Sequence, residues 1–384
     1  MDGRTGNFMC ARVIHHGPGA LSHLEEEIGR LGGERPALVT DPGLVNAGIV
    51  DQVIESVKTR LFCFQDVQPE PPIGLVDRCA DFLKDNQCDL VIGLGGGSSL
   101  DTAKMAAAMM GNVGRATDYW GAGRIPKPGL DVIAIPTTAG TGSEVTPAAV
   151  FVDPSDKAKK GIRSDFFLPE AAILDPVLTI GLPQPLTAST GMDALTHAIE
   201  SYTSPRATVL SDLVAEKAIA MIGSNLPGAY ANGAALSARD GMLLASLLAG
   251  MAIAAAGVGA VHALAHVLGG RHGIGHGVAN ALFLPHVMEF NRVGCRAQYA
   301  RVAALLGEKV EGLSLDDASM KAVEAVRTLS QAVGVPQRLR DLSIPEDSLD
   351  AVAKGCIETQ ARILTSNPRV MSLEEAKEIL RRAY

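Results

Sequence analysis

Up to about residue 180 the chain alternates short apolar runs with segments of helical period. The runs "ALVTD" (37–41), "DLVIGLGGG" (89–97), "DVIAIPTT" (131–138) and "AAILD" (171–175) have the length and turn-rich borders of buried strands, and "RVIHHGPG" (12–19) predicts a further one. Between them, 72–86 and 98–110 space their apolar residues as helices do. Such alternation predicts a parallel sheet with helices on its faces. After "LPQPLT" (182–187) the strand-like runs stop, and long Ala/Leu-rich segments follow at 188–203, 207–224, 237–256 and 276–291. The stretch from about 312 to 384 carries more charge and reads as amphipathic helices. The expected architecture is an α/β domain with a parallel sheet over 1–182, then an all-α domain over 183–384.

A length of 384 residues suits two domains, each with its own core. Lys and Arg total 34 against 42 Asp and Glu, a net charge of −8 without a basic stripe, so neither nucleic acid nor an anionic membrane surface is an expected partner. The longest apolar run, "GMLLASLLAGMAIAAAGVGAVHALAHVLGG", reaches membrane length, but its Gly and Ala content suits a buried helix pair equally. The opening residues "MDGRTGNFMCARVIHHG" lack the apolar core of a secretory signal, and a cytoplasmic location is expected. The six cysteines form no CxxC pair, which argues against a thiolate zinc site and for small buried hydrophobes in a reducing compartment.

Two glycine-rich loops follow strands in the first half. "GLGGGSSLDTAK" (93–104) runs into a helix whose N-terminal N–H groups can cradle a phosphate, although Ser98 stands where a GxGxxG fingerprint has its last glycine. The alternative is a strand-to-helix turn capped by Ser98 or Ser99. "PTTAGTGSEVT" (136–146) is crowded with hydroxyls. Two such loops at the carboxyl end of one parallel sheet suggest a dinucleotide. Asp41 closes the first strand, where a carboxylate can accept from a ribose diol, or "TDPG" can be only an Asp-Pro turn.

The second half holds the other candidate chemistry. In "GMDALTHAIE" (191–200), Asp193 and His197 stand four apart and so share one helix face. Two ligands cannot fill a coordination sphere, but "VHALAHVLGGRHGIGHG" (261–277) adds His262, His266, His272 and His276. Imidazoles with one carboxylate and no sulfur suit Fe(II) or Zn(II) and admit other divalent ions. The glycines 269, 270, 273, 275 and 277 read as a plastic loop before His276.

In order and spacing, "GGGSSLDTAK", "PTTAGTGSE", "GMDALTHAIE" and "HALAHVLGG…GHG" resemble the iron-containing (group III) alcohol dehydrogenases. The resemblance implies a dehydroquinate-synthase-like fold and a metal-dependent NAD(H) oxidoreductase acting on a small alcohol and its aldehyde or ketone. It places Fe2+, or Zn2+ or another divalent metal, on Asp193, His197, His262 and His276. NAD falls against Asp41, the loop Gly95, Gly96, Gly97, Ser98 and Ser99, and the hydroxyl loop at Thr137, Thr138 and Ser143, with Lys159 or Lys160 as a further contact. His266 resembles a proton relay beside the substrate, a role His272 can share, and a homodimer is the family expectation. The wording "HVLGG" is also similar to maleylacetate reductases, which work without a metal but have Asn where Asp193 stands here. A lyase of the dehydroquinate-synthase type shares the fold and NAD. His15 and His16 read as structural.

Overall fold

The computed structural model describes residues 6–155 and 158–384; residues 1–5, which open the stretch read above for a leader, and residues 156–157 lie outside the described residues. Two compact units divide the chain, Met9–Leu182 and Pro183–Tyr384, with residues 6–8 grouped with the second.

Among the described residues the first unit has nine strands: β1 Val13–His16, β2 Pro36–Val39, β3 Phe62–Phe64, β4 Leu90–Gly95, β5 Gly121–Ala122, β6 Asp131–Pro136, β7 Ala148–Asp153, β8 Ala158–Arg163 and β9 Ala171–Leu174. Its helices are α1 Leu24–Arg30, α2 Pro42–Asn46, α3 Ile49–Glu55, α4 Gly74–Asp85 and α5 Gly97–Met109. Six strands form one sheet in the order β1-β9-β6-β4-β2-β3, every pairing parallel. Consecutive strand residues point to opposite faces. Ala37, Val39 and Val91 accordingly enter one buried cluster, while Leu38, Leu90 and Ile92 enter the other. Covering both faces makes the central strands apolar along nearly their whole length, exposed Asp131 at the start of β6 excepted, hence their visibility as continuous runs.

The sheet also contains β3, only three residues long, and a smaller sheet β5-β8-β7 stands apart. The apolar runs did not predict β3, β5, β7 or β8. β7 buries alternate residues rather than all of them, and β8, "AKKGIR", is largely polar. Their pairing, antiparallel in β7–β8, comes from tertiary contact.

The second unit comprises α6 Gln184–Thr203, α7 Val209–Ala231, α8 Leu236–Ala256, α9 Ala260–His272, α10 His276–Asn291, α11 Arg296–Leu305, α12 Leu315–Ala332, α13 Leu349–Thr359, α14 Ala361–Leu364 and α15 Leu373–Ala383. Among the described residues it has no strand. Pro185 lies in the first turn of α6, where the missing N–H has no helical partner to lose. Among the described residues, helix α8 alone is long and apolar enough to cross a membrane, yet it packs against α6 and α7, with 56% of its most apolar window buried.

Candidate active site

In the first unit the site-forming residues collect at the carboxyl ends of β2, β4 and β6. These strands are neighbours, but β2 leads outward to β3 while β4 leads the other way to β6. The reversal opens a crevice between β2 and β4, the position where open α/β sheets take ligands. Asp41 stands beside it. Its Oδ1 accepts from the Leu44 N–H at 3.2 Å, capping α2, and its Oδ2 accepts from the Ser99 hydroxyl at 3.4 Å. The Asp-Pro turn is therefore real, and the same carboxylate faces the glycine loop. Gly95 adopts φ +143°, and a Cβ there would lie 2.6 Å from the Ser99 hydroxyl oxygen. Gly96 caps α5 without any side-chain hydrogen bond, so neither Ser98 nor Ser99 fills that place.

The hydroxyl loop packs directly on this one. Thr137 N–H donates to the Gly95 carbonyl at 3.0 Å, and Cβ atoms on Gly96 and Gly97 would run into Thr138 and Thr141. Ser143 is turned the other way, donating its hydroxyl to Asp101 at 2.5 Å. Asp101 also accepts from Val150 N–H at 2.8 Å, and buried Lys104 donates to the carbonyls of Ser143, Thr146 and Ala148 at 3.0, 3.3 and 2.5 Å. Burial pulls the Lys104 ammonium below its usual range and pushes neighbouring Glu144 up to about 7. Asp101 and Lys104, both inside "GGGSSLDTAK", thus hold the second loop onto α5, a task the motif alone did not disclose. On β8, Lys159 pairs with Glu70, and Lys160 pairs with Asp153 at 2.6 Å.

In the second unit, three helices converge. Asp193 and His197 project from α6, His262 from the first turn of α9, and His276 opens α10; one ligand atom from each lies within 4.8 Å of all the others. Asp193 Oδ1 is 3.9, 3.8 and 3.8 Å from Nε2 of His197, His262 and His276. These separations exceed hydrogen-bond length but match two ligands that share an ion at about 2.1 Å from each. Asp193, His197 and His262 are buried, where a carboxylate and imidazoles facing one another without a cation would be costly. The donor set fits a divalent metal.

The expected loop over 269–277 shrinks to residues 273–275. Gly269 and Gly270 lie within α9, Gly273 ends it at φ +68°, and Gly277 is inside α10. There a Cβ would collide with the Ser189 carbonyl oxygen, so Gly277 sets how closely α10 approaches α6.

Two residues escaped the sequence reading. Asn280, fully buried one turn after His276, places its amide Nδ2 2.6 Å from Asp193 Oδ1 and 3.1 Å from Nε2 of both His262 and His276. Glu200, the last residue of "GMDALTHAIE", accepts from Val261 N–H at 2.7 Å and lies 2.6 Å from His262 Nδ1. Burial pushes its carboxyl up to about 7, against the N–H groups of Gly259 and Val261, which pull it down. Helical spacing was the available signal, since Glu200 follows His197 by three residues and Asn280 follows His276 by four. His266 lies outside the four-residue group, with Nδ1 3.4 Å from Gln360 Oε1, and His272 ends α9. His15 meets Glu27 at 2.9 Å and stacks on His23 at 4.1 Å between ring centroids.

Comparison with known proteins places this arrangement. Residues 11–176 match the family model for iron-containing alcohol dehydrogenase, and 187–384 match that for the C-terminal part of the Fe-containing alcohol dehydrogenase family. The long-chain-alcohol dehydrogenase 1 of Geobacillus thermodenitrificans (strain NG80-2) is 40% identical, with 97% of each chain covered. The NAD-dependent methanol dehydrogenase of Bacillus methanolicus is 36% identical, covering 98% of this chain and 99% of its own. The crystal structure of a 1,3-propanediol oxidoreductase superposes with a TM-score of 0.96 at 39% identity, covering 99% of this chain and all of that one. With both units matched and relatives similar over nearly their full length, the chain belongs to the iron-containing alcohol dehydrogenase family, whose dehydroquinate-synthase-like fold it has, and it is an alcohol dehydrogenase.

Proposed function

We propose that the protein is a metal-dependent NAD(H) oxidoreductase that interconverts a small primary alcohol, or related hydroxy compound, and its aldehyde or ketone. The observation that carries this is the convergence of Asp193, His197, His262 and His276. These four side chains would hold Fe2+, or Zn2+ or another divalent ion offered the same donors. When bound, the ion supplies a Lewis acid that lowers an alcohol's pKa and polarises a carbonyl.

The first unit supplies the cofactor's seat. The uncapped N-terminus of α5 and the loop from Gly95 through Gly96, Gly97 and Ser98 to Ser99 would take the pyrophosphate, and Asp41 would accept from a ribose diol. Thr137 and Thr138 border the same crevice. Ser143, whose proton goes to Asp101, has only an acceptor to offer a ligand. Lys159 is the further cofactor contact. The name of the Bacillus methanolicus relative supports NAD. The nicotinamide supplies the hydride acceptor or donor, and the protein orients it.

His266 is the proton carrier of this reading, an imidazole whose ring lies against those of His262 and His276 and whose Nδ1 meets Gln360. The protein is read as a cytoplasmic homodimer with no nucleic-acid or membrane partner. The test strips the purified protein with a chelator, supplies NAD+ and a panel of short primary alcohols, and follows NADH. NADH forms only after Fe2+ or Zn2+ is restored under anaerobic conditions; full turnover by the stripped protein overturns the metal's role, and no NADH with any alcohol overturns the reaction.

A further inference from the structure

The buried carboxylate beneath the metal-site histidines does more than fill space. Glu200 lies on α6 one turn beyond His197, 5% exposed, and it meets the start of α9 just before His262. Helix α9 opens on Gly259, which has no side chain to cap it. Distant residues cap it instead: Glu200 accepts from Val261 N–H at 2.7 Å, and Asn367 Oδ1 accepts from Ala260 N–H at 3.2 Å. Asn367 is itself held by a reciprocal amide pair with Asn291, at 2.9 and 2.8 Å. The carboxylate is thereby fixed against the helix end, and its Oε2 is aimed at His262 Nδ1, 2.6 Å away.

The proton on His262 follows from its two neighbours. The 2.6 Å contact between Asn280 and the Asp193 carboxylate must use the amide nitrogen, because an amide oxygen there would face another acceptor. That nitrogen is also 3.1 Å from Nε2 of both His262 and His276; its two protons cannot serve all three partners at once, but a donor group facing His262 Nε2 favours a lone pair there, which puts the ring proton on Nδ1. Glu200 Oε2 is placed to accept it. We propose that Glu200 is a positioning residue which, by accepting from His262 Nδ1–H, locks this imidazole in the tautomer and orientation that aim the Nε2 lone pair at the metal. The inference rests on the metal reading above and adds an outer partner to it.

The isosteric variant Glu200→Gln tests it. Glutamine has one acceptor and one donor end. Facing its oxygen to His262 sets NH2 against the helix N–H donors, while facing NH2 to His262 forces the proton onto Nε2. In chelator-stripped protein titrated with Zn2+ against a competing chromophoric chelator, Kd is expected to rise about 10- to 100-fold, the usual scale for loss of such a partner. Bound Co2+ should show an altered visible spectrum, whereas Glu200→Asp should recover part of the affinity. Wild-type Zn2+ affinity in Glu200→Gln overturns the proposal. His262→Ala separates the two readings: lost affinity there beside wild-type affinity in Glu200→Gln removes Glu200 alone, and wild-type affinity in both removes the metal site too. Should Glu200→Gln not fold, the metal-free wild type labelled with 15N-histidine decides directly. Long-range 1H–15N spectra should show His262 protonated at Nδ1, and protonation at Nε2 overturns the proposal.

Discussion

Asp41 carries two tasks on one carboxylate, and its substitution separates them. Oδ1 caps α2 while Oδ2 faces Ser99 and the glycine loop. Against NAD the carboxylate gains hydrogen bonds from a ribose diol; against NADP it opposes a 2′-phosphate carrying nearly two negative charges. Wild type should prefer NAD by at least about tenfold in kcat/KM, roughly 1.4 kcal/mol. Asp41→Asn keeps a capping oxygen and removes the charge, so the NAD/NADP ratio should shrink with little change in thermal stability. If the carboxylate serves only the turn, the ratio stays as in wild type, and steady-state kinetics with both cofactors distinguish the two outcomes. The candidate was legible here from position alone: an acid just after a buried strand. That Ser143 turns from the crevice to Asp101 was not, because the choice depends on which acceptor the fold brings near.

At the scale of elements, the metal group is a meeting of helix ends, and close backbone approach governs it. Gly277 sits one residue past His276, with the Ser189 carbonyl of α6 in the space a Cβ would need. Gly277→Ala must push α10 from α6 and carry His276 away from Asp193. Overpacking of this kind typically destabilises by about 1–3 kcal/mol, so a lowered melting temperature and reduced metal occupancy are expected together. Gly275→Ala is the control, since its Cβ would meet nothing within 4 Å. Metal content by elemental analysis and a thermal melt check both, and wild-type occupancy in the Gly277→Ala variant would show that the approach is not limiting. The i, i+4 pairing of Asp193 with His197 needs one helix only and was readable from spacing. Glu200 and Asn280 share those helix faces too, but spacing could not say which neighbour each would meet.

For the molecule as a whole, the four candidate ligands come from α6, α9 and α10, parts of one unit separated by up to 83 positions between Asp193 and His276. An unfolded chain does not hold them together, so an ion that binds there stabilises the folded state by mass action, about 2.7 kcal/mol at a concentration 100 times Kd. Saturating Zn2+ should raise the melting temperature of stripped protein, and His276→Ala should abolish the rise; a wild-type melt indifferent to the metal would contradict a site joining three helices. Elements with a strong local signature were readable from the chain: central strands apolar along nearly their whole length because both sheet faces are covered, long helices of the second half, and glycine loops after β4 and β6. Contacts between distant segments were needed to define the three-residue β3, the polar β8 and its small sheet, the shrinking of the glycine loop to residues 273–275, and the partners of Lys104, Glu200 and Asn280. Local periodicity records which face of an element is buried, whereas a buried polar side chain takes its role from the donor or acceptor that the fold sets opposite it, often from a distant part of the chain.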